Sequence, residues 1–136
     1  SQHKEKLIPK IVSCLINKIK IPIYGDGSNI RDWLYVGDHV QAIDSILHNG
    51  KIGESYNIGG GNELSNLNLV KEIIKIFNSS DSDIDINDYI DFVEDRKGHD
   101  YRYSVDYSKL KSQLNWQPEA DFSLYLRKTI DWYRNN

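Results

Sequence analysis

Three glycine-rich stops, Gly25-Asp26-Gly27-Ser28, Asn49-Gly50 and Gly59-Gly60-Gly61, punctuate the first half of the chain. They limit each regular element there to a few turns of helix or a few strand residues. Ahead of the first stop, Leu7, Ile8, Ile11, Val12, Leu15, Ile16 and Ile19 recur at helical spacing and predict an amphipathic helix over 7–19. Pro9 falls in its first turn, where the missing N–H costs nothing. Ile21–Tyr24 is a short β-prone run that feeds the first stop, and Ile30–Val36 reads as a strand after it. Asp38 is then placed to cap a helix through His48, which Asn49-Gly50 ends. Glu54–Ile58 predicts another strand, closed by the glycine triad.

Beyond the triad, Leu67, Val70, Ile73, Ile74 and Phe77 predict a helix capped by Ser65 or Asn66. Residues 79–91, SSDSDIDINDYID, are acidic and polar and read as a mobile surface insertion. They lack the glycine and the closing glutamate of an EF-hand calcium loop. Phe92-Val93 reads as a brief strand, Ser108–Leu114 as a short helix, and Asp121 as the cap of a last helix through Trp132 and Tyr133. The pattern is α+β, helices among short strands, with no repeat and no linker composition to divide it, so residues 1–136 read as one unit.

Charge and composition narrow the function classes. A net charge of −3 argues against a nucleic-acid binder built on a broad basic field. No apolar run approaches the roughly 20 residues that span a bilayer, and the opening SQHKEK lacks a signal peptide's apolar stretch. The single cysteine, Cys14, cannot form an internal disulfide and fits a reducing, cytoplasmic compartment. The chain contains no methionine, which is expected either of a sequence trimmed from something longer or of initiator removal ahead of Ser1.

Several chemistries find no support. Gly59-Gly60-Gly61 follows a β-prone run but fits neither G-x-G-x-x-G nor the P-loop spacing. His3, His39, His48 and His99 are scattered without metal-ligand spacing, and no serine sits in G-x-S-x-G. What remains is a set of cations in polar loops: Arg31 before Asp32-Trp33, and Arg96 with His99 in Asp95-Arg96-Lys97-Gly98-His99-Asp100. Guanidinium groups suit bidentate capture of phosphate. Pairing of Arg31 with Asp32 and of Arg96 with Asp95 is the plainer alternative. Tyr24 can offer a stacking face or fill a core, and the residues by themselves leave both open.

The segments EKLIP (5–9), IPIYGDGSNIRDWLYVGDHVQAI (21–43), GESYNIGGGNELSN (53–66), EDRKGHDYRYSVD (94–106), LNWQP (114–118) and RKTIDWY (127–133) closely resemble the C-terminal part of dTDP-glucose 4,6-dehydratases. These are extended short-chain dehydrogenase/reductase enzymes of deoxysugar biosynthesis, including the rhamnose route. The order IRDWLYV, YNIGG, DR-x-GHD-x-RY is the specific part; IRDWLYV-x-D alone indicates only the wider nucleotide-sugar family. The resemblance implies a small substrate-binding domain, with NAD and the catalytic Tyr-x-x-x-Lys in an N-terminal Rossmann domain that this chain lacks. It implies a homodimer for the full enzyme, and no activity and no bound cofactor for this portion alone.

By the same resemblance, Lys6, Leu7 and Ile8 begin a segment lining the nucleotide-sugar cleft. Pro22, Ile23 and Tyr24 match the strip that contacts the base, with Tyr24 as the stacking ring. Arg31 matches a phosphate-binding arginine, Arg96 and His99 a loop reaching the diphosphate, and Asn66 a polar contact to the nucleotide. Asn57 and the tryptophans Trp33, Trp116 and Trp132 are expected to serve packing. Lys97 stands where many bacterial relatives have proline. UDP-glucose in place of dTDP-glucose, or a stand-alone nucleotide-sugar binding module, are the alternatives. A face normally buried against the Rossmann domain is expected to be exposed.

Overall fold

The computed structural model describes residues 2–79 and 85–136. Its elements run α1 (Leu7–Ile16), β1 (Ile21–Tyr24), β2 (Ile30–Asp32), α2 (Val36–Asn49), β3 (Glu63–Ser65), α3 (Asn66–Asn78), β4 (Ile90–Val93), β5 (Arg102–Tyr103), α4 (Ser108–Leu114) and α5 (Phe122–Asn135), with a 3-10 turn at Ile86–Asp88. This is the expected α+β class. The chain forms two compact units: Ser1–Asn29, Ser65–Tyr101 and Leu126–Asn136 make the first, and Ile30–Leu64 with Arg102–Tyr125 the second. No Pro- or Gly-rich linker marks the division, because the chain passes between the units at Asn29-Ile30, Leu64-Ser65 and Tyr101-Arg102, and again inside α5.

In the first unit α1 packs on α3. On α3, Leu69, Val70, Ile73 and Ile74 are all fully buried, and this i, i+1, i+4, i+5 spacing is one face of a helix. Ser65 rather than Asn66 caps it: the Ser65 hydroxyl accepts from the Asn68 N–H at 3.1 Å. The helix closes on Ser79, whose φ of 52° lies in the left-handed region. Strands β1 and β4 pair in parallel, Ile21 opposite Ile90 and Tyr24 opposite Val93. Ile11, Val12, Ile21, Ile23, Ile90 and Ile130 are among the residues buried with them in this unit.

In the second unit β2 is the central strand of a sheet ordered β3-β2-β5, and β2 runs parallel to β5. Its core is Ala42, Leu110 and Trp116, with Leu34, Ile46, Tyr56, Ile58, Tyr107 and Leu114 packed around them. While Ala42 and Ile46 turn toward this core, Val36, Val40, Ile43 and Leu47 are 66, 57, 43 and 78% exposed. They form an apolar stripe at i, i+4, i+7 and i+11 on α2.

Several expectations change on contact with the structure. The first helix stops at Ile16 and not at residue 19, since Lys18 takes a φ of 54°. The strand expected over 30–36 is only Ile30–Asp32, and α2 begins at Val36 with Tyr35 as its N-cap. Asp38 is therefore inside α2 and caps nothing there. Its buried carboxylate accepts instead from the Glu119 and Ala120 N–H groups at 3.3 and 3.1 Å, tying the 119–120 turn to the helix. Glu54–Ile58 is not a strand: Tyr56 and Ile58 use their alternation to reach the core cluster, and β3 lies beyond the glycines at Glu63–Ser65. Of the acidic segment, 80–84 lies outside the described residues, whereas Ile86–Val93 holds a 3-10 turn and β4 with Ile90 buried. Trp132 is 47% exposed and packs edge-on against Tyr133 at the surface, in contrast to Trp116, which is buried at 7%.

Candidate nucleotide-binding site

Because β1 and β4 are parallel and in register, the chain leaves both strands from the same edge. Tyr24 ends β1, and the loop that follows Val93 starts beside it, with the Gly25 N–H donating to the Val93 carbonyl at 2.9 Å. That pairing brings Arg96 and His99 to Tyr24 across more than 70 residues of sequence. The Arg96 guanidinium carbon lies 4.4 Å from the Tyr24 ring centroid, a cation–π distance. Its Nη2 donates to the Tyr24 hydroxyl at 3.0 Å. The His99 ring stands edge-on to Tyr24 with centroids 6.5 Å apart.

The loop itself is a tight turn. The His99 N–H donates to the Arg96 carbonyl at 3.3 Å, and Gly98 supplies the φ of 74° that the turn requires. Asp95 anchors its start, accepting from the Arg96 N–H at 2.8 Å and contacting His99 Nδ1 at 3.2 Å. The alternative pairing of the Arg96 side chain with Asp95 is thus not what forms: Asp95 takes the backbone of Arg96, and the guanidinium goes to the tyrosine. Electrostatics follow the geometry. The hydrogen bond from Arg96 and then its charge, with a smaller contribution from Lys10, hold the Tyr24 phenol below its ordinary range. Tyr24, and more weakly Glu5, raise Arg96 in turn.

The other expected residues of the first unit fall as follows. Lys6 is exposed at the start of α1, with Leu7 and Ile8 half-buried after it. Pro22 is half-buried on β1, whereas Ile23 is 2% exposed and belongs to the core, which leaves it almost no surface for a ligand. Asn66 opens α3; its N–H donates to the Asn29 carbonyl at 2.9 Å. Its side chain is buried, and Oδ1 finds no partner among the described residues. Buried polar atoms are rarely left so, and a buried acceptor of this kind suits a ligand N–H or O–H.

Arg31 belongs to the second unit, on β2 opposite Tyr103, and its Nη1 donates to the Ile30 carbonyl at 2.8 Å. Asp32 does not serve as its ion partner in the manner the sequence allowed. The two Asp32 oxygens accept from the Gly60 and Asn62 N–H groups at 2.7 and 2.9 Å. Asn62 reinforces the loop by donating to the Trp33 and Gly60 carbonyls. A side chain on Gly59 or Gly60 would strike the Val105 or Trp33 carbonyl. Gly59 and Gly60 are therefore required by close packing in this loop, and Gly61 by its φ of 67°.

Asp95 as a hub, and Glu5 and Lys10 as charges acting on the cluster, carry no motif of their own in the sequence. The signal that could have found them is the β1–β4 register, which becomes legible only once Phe92-Val93 is recognised as the partner of Ile23-Tyr24. Cys14 is buried in α1, and that burial raises its thiol. No group of three potential metal-ligating side chains, and no helix long and apolar enough to cross a membrane, occurs among the described residues.

Comparison with known proteins gives a consistent picture. A sequence model for the family described as GDP-mannose 4,6 dehydratase matches residues 1–129. The dTDP-glucose 4,6-dehydratase of Haemophilus influenzae is 48% identical over 99% of this chain and 41% of its own length. The crystal structure of dTDP-glucose 4,6-dehydratase from Bacillus anthracis in complex with NAD superposes with a TM-score of 0.88 at 43% identity, over 99% of this chain and 41% of that one. The enzyme of the same name from Streptomyces venezuelae, solved with NAD and TYD bound, gives 0.88 at 41% identity, over 99% and 40%. This chain thus spans about two fifths of the length of the relatives it matches. The match is to their C-terminal portion.

Proposed function

The chain belongs to the GDP-mannose 4,6 dehydratase family, and from that membership we propose that it is the sugar-nucleotide-binding portion of a dTDP-glucose 4,6-dehydratase, an NAD-dependent lyase. The observation that carries this reading is the Tyr24–Arg96–His99 cluster at the shared edge of β1 and β4. A guanidinium held against a tyrosine by one hydrogen bond to a neutral hydroxyl is poised to exchange that bond for phosphate oxygens, which form the stronger, charge-assisted contact. Arg96 covers one face of the Tyr24 ring, so a base stacks on the opposite face. Asn66 supplies a buried acceptor. Arg31, in the other unit, is assigned to phosphate on its place in the IRDW motif, and Lys6, Leu7, Ile8, Pro22 and Ile23 are assigned to the nucleotide-sugar on theirs.

The division of labour follows. Residues of this chain bind and orient the sugar nucleotide, a contribution that converts an encounter into a positioned reaction. NAD, when bound, supplies reversible hydride transfer. Its site and the Tyr-x-x-x-Lys pair belong to the part of the family's length that these 136 residues do not span. The whole enzyme works in the cytoplasm as a homodimer. Incubation of the 136-residue chain with NAD and dTDP-glucose tests the assignment. Amide resonances of Tyr24, Arg96 and His99 shift with added dTDP-glucose, and no 4-keto-6-deoxy product forms. Measurable turnover, or the absence of any shift at these residues, overturns it.

A further inference from the structure

Asp95 makes more contacts than any sequence motif assigns to it. One oxygen, Oδ1, receives both the Arg96 N–H at 2.8 Å and the contact from His99 Nδ1 at 3.2 Å. The rest of the carboxylate lies against Gly25: a Cβ built there would stand 3.1 Å from Oδ2, and Gly25 also holds a φ of 60°. A side chain at position 25 would therefore push Asp95 away while straining the backbone. Gly25 follows Tyr24 directly, so the carboxylate is seated between the end of β1 and the loop that carries both cations.

A carboxylate accepts hydrogen bonds and cannot donate them, so its contact with Nδ1 requires the imidazole proton to be on that nitrogen. The second ring nitrogen, Nε2, is then an acceptor in the neutral ring and a donor in the imidazolium. We propose that Asp95 is the positioning residue of this cluster: its carboxylate fixes His99 as the Nδ1–H tautomer and starts the turn that lays Arg96 over Tyr24. His99 and Arg96 are thereby oriented before a nucleoside diphosphate arrives, and the ordering of two long-reaching side chains is not charged against binding. The arrangement is the organic counterpart of a carboxylate orienting a metal-ligating histidine through its distal nitrogen. The tautomer is a property of the free chain, while its consequence for nucleotide affinity rests on the function proposed above.

The test uses the 136-residue chain labelled with 15N-histidine. Without nucleotide, and at a pH where the imidazole is neutral, long-range 1H–15N spectra assign the proton of His99 to Nδ1. In Asp95→Ala the proton moves to Nε2, the form an unconstrained imidazole favours. Asp95→Asn, which keeps an acceptor oxygen, retains Nδ1–H as the major form. A wild-type His99 already in the Nε2–H form, or an unchanged tautomer in Asp95→Ala, overturns the proposal. Titration with dTDP then reads the consequence: Asp95→Ala binds about tenfold more weakly, the low end of what losing an orienting partner costs a ligand imidazole. If wild type binds no dTDP, the nucleotide reading fails while the tautomer assignment is still decided by the ligand-free spectra. Asp95 is 45% exposed at its side chain, and amide spectra of both variants check that the fold outside the 95–99 loop is kept.

Discussion

Removing the Asp32 carboxylate is predicted to unfasten the loop of residues 59–62. The two oxygens of Asp32 each hold one backbone N–H, of Gly60 at 2.7 Å and of Asn62 at 2.9 Å. Hydrogen bonds to a charged group contribute about 1.5–3 kcal/mol each, and both donors lose their partner in Asp32→Ala. The site is only part-buried, so water recovers some of the loss, and the low end applies: about 3 kcal/mol for the pair. Asp32→Asn keeps one acceptor oxygen and costs about half as much. With a urea m value of about 1.5 kcal/mol/M for a chain of this size, the alanine variant unfolds at about 2 M less urea. Trp33 and Trp116, both in the second unit, report the transition by fluorescence. Amide exchange gives a local reading, since 3 kcal/mol corresponds to about 100-fold faster exchange at Gly60 and Asn62. A loss below about 0.5 kcal/mol, or unchanged protection of those two amides, would refute the assignment of Asp32 to the loop.

Two further outcomes follow from the packing and electrostatics of the first unit. Ile73→Ala, at a position with no exposed surface on α3, destabilises by about 3 kcal/mol through lost burial and a residual cavity, read as a lowered melting temperature with the secondary structure retained. The Tyr24 phenol is held low chiefly by the Arg96 hydrogen bond. Its folded value therefore lies below its unfolded value of about 10, so pairing adds stability only as pH rises past the folded value, reaching its full extent above the unfolded one. Wild type accordingly gains stability relative to Arg96→Ala in the alkaline range. A ring-resonance titration of Arg96→Ala places Tyr24 higher than in wild type, and coincident titration curves would contradict the pairing.

Features encoded within one turn or one run of residues are legible in the sequence, and those set by distant partners are not. Ile21–Tyr24 and Ser108–Leu114 appear with the boundaries expected of them, and Asp121 does cap α5, accepting from the Leu124 N–H at 2.8 Å. In each case the signal lies within one turn or one run of residues. Asp38 and Asp32 misled because each has a legitimate local role, helix cap or ion partner, that a distant backbone N–H outcompetes. Glu54–Ile58 carried strand-like alternation, but no neighbouring strand takes it up and its apolar residues go to the core cluster. The site residues follow from the resemblance; their spacing does not reveal the parallel register that seats Arg96 on Tyr24. Asp95, which organises them, was visible only as a neighbour of Arg96.

The central claim is that the loop from Asp95 to His99, docked on Tyr24, holds the diphosphate of a sugar nucleotide. Isothermal titration of the chain with dTDP, wild type against Arg96→Ala, tests it most directly. A charge-assisted contact of about 1.5–3 kcal/mol predicts affinity lowered about 10- to 100-fold in the variant, with the wild-type affinity falling as salt is raised. Equal affinities for wild type and Arg96→Ala would contradict the account.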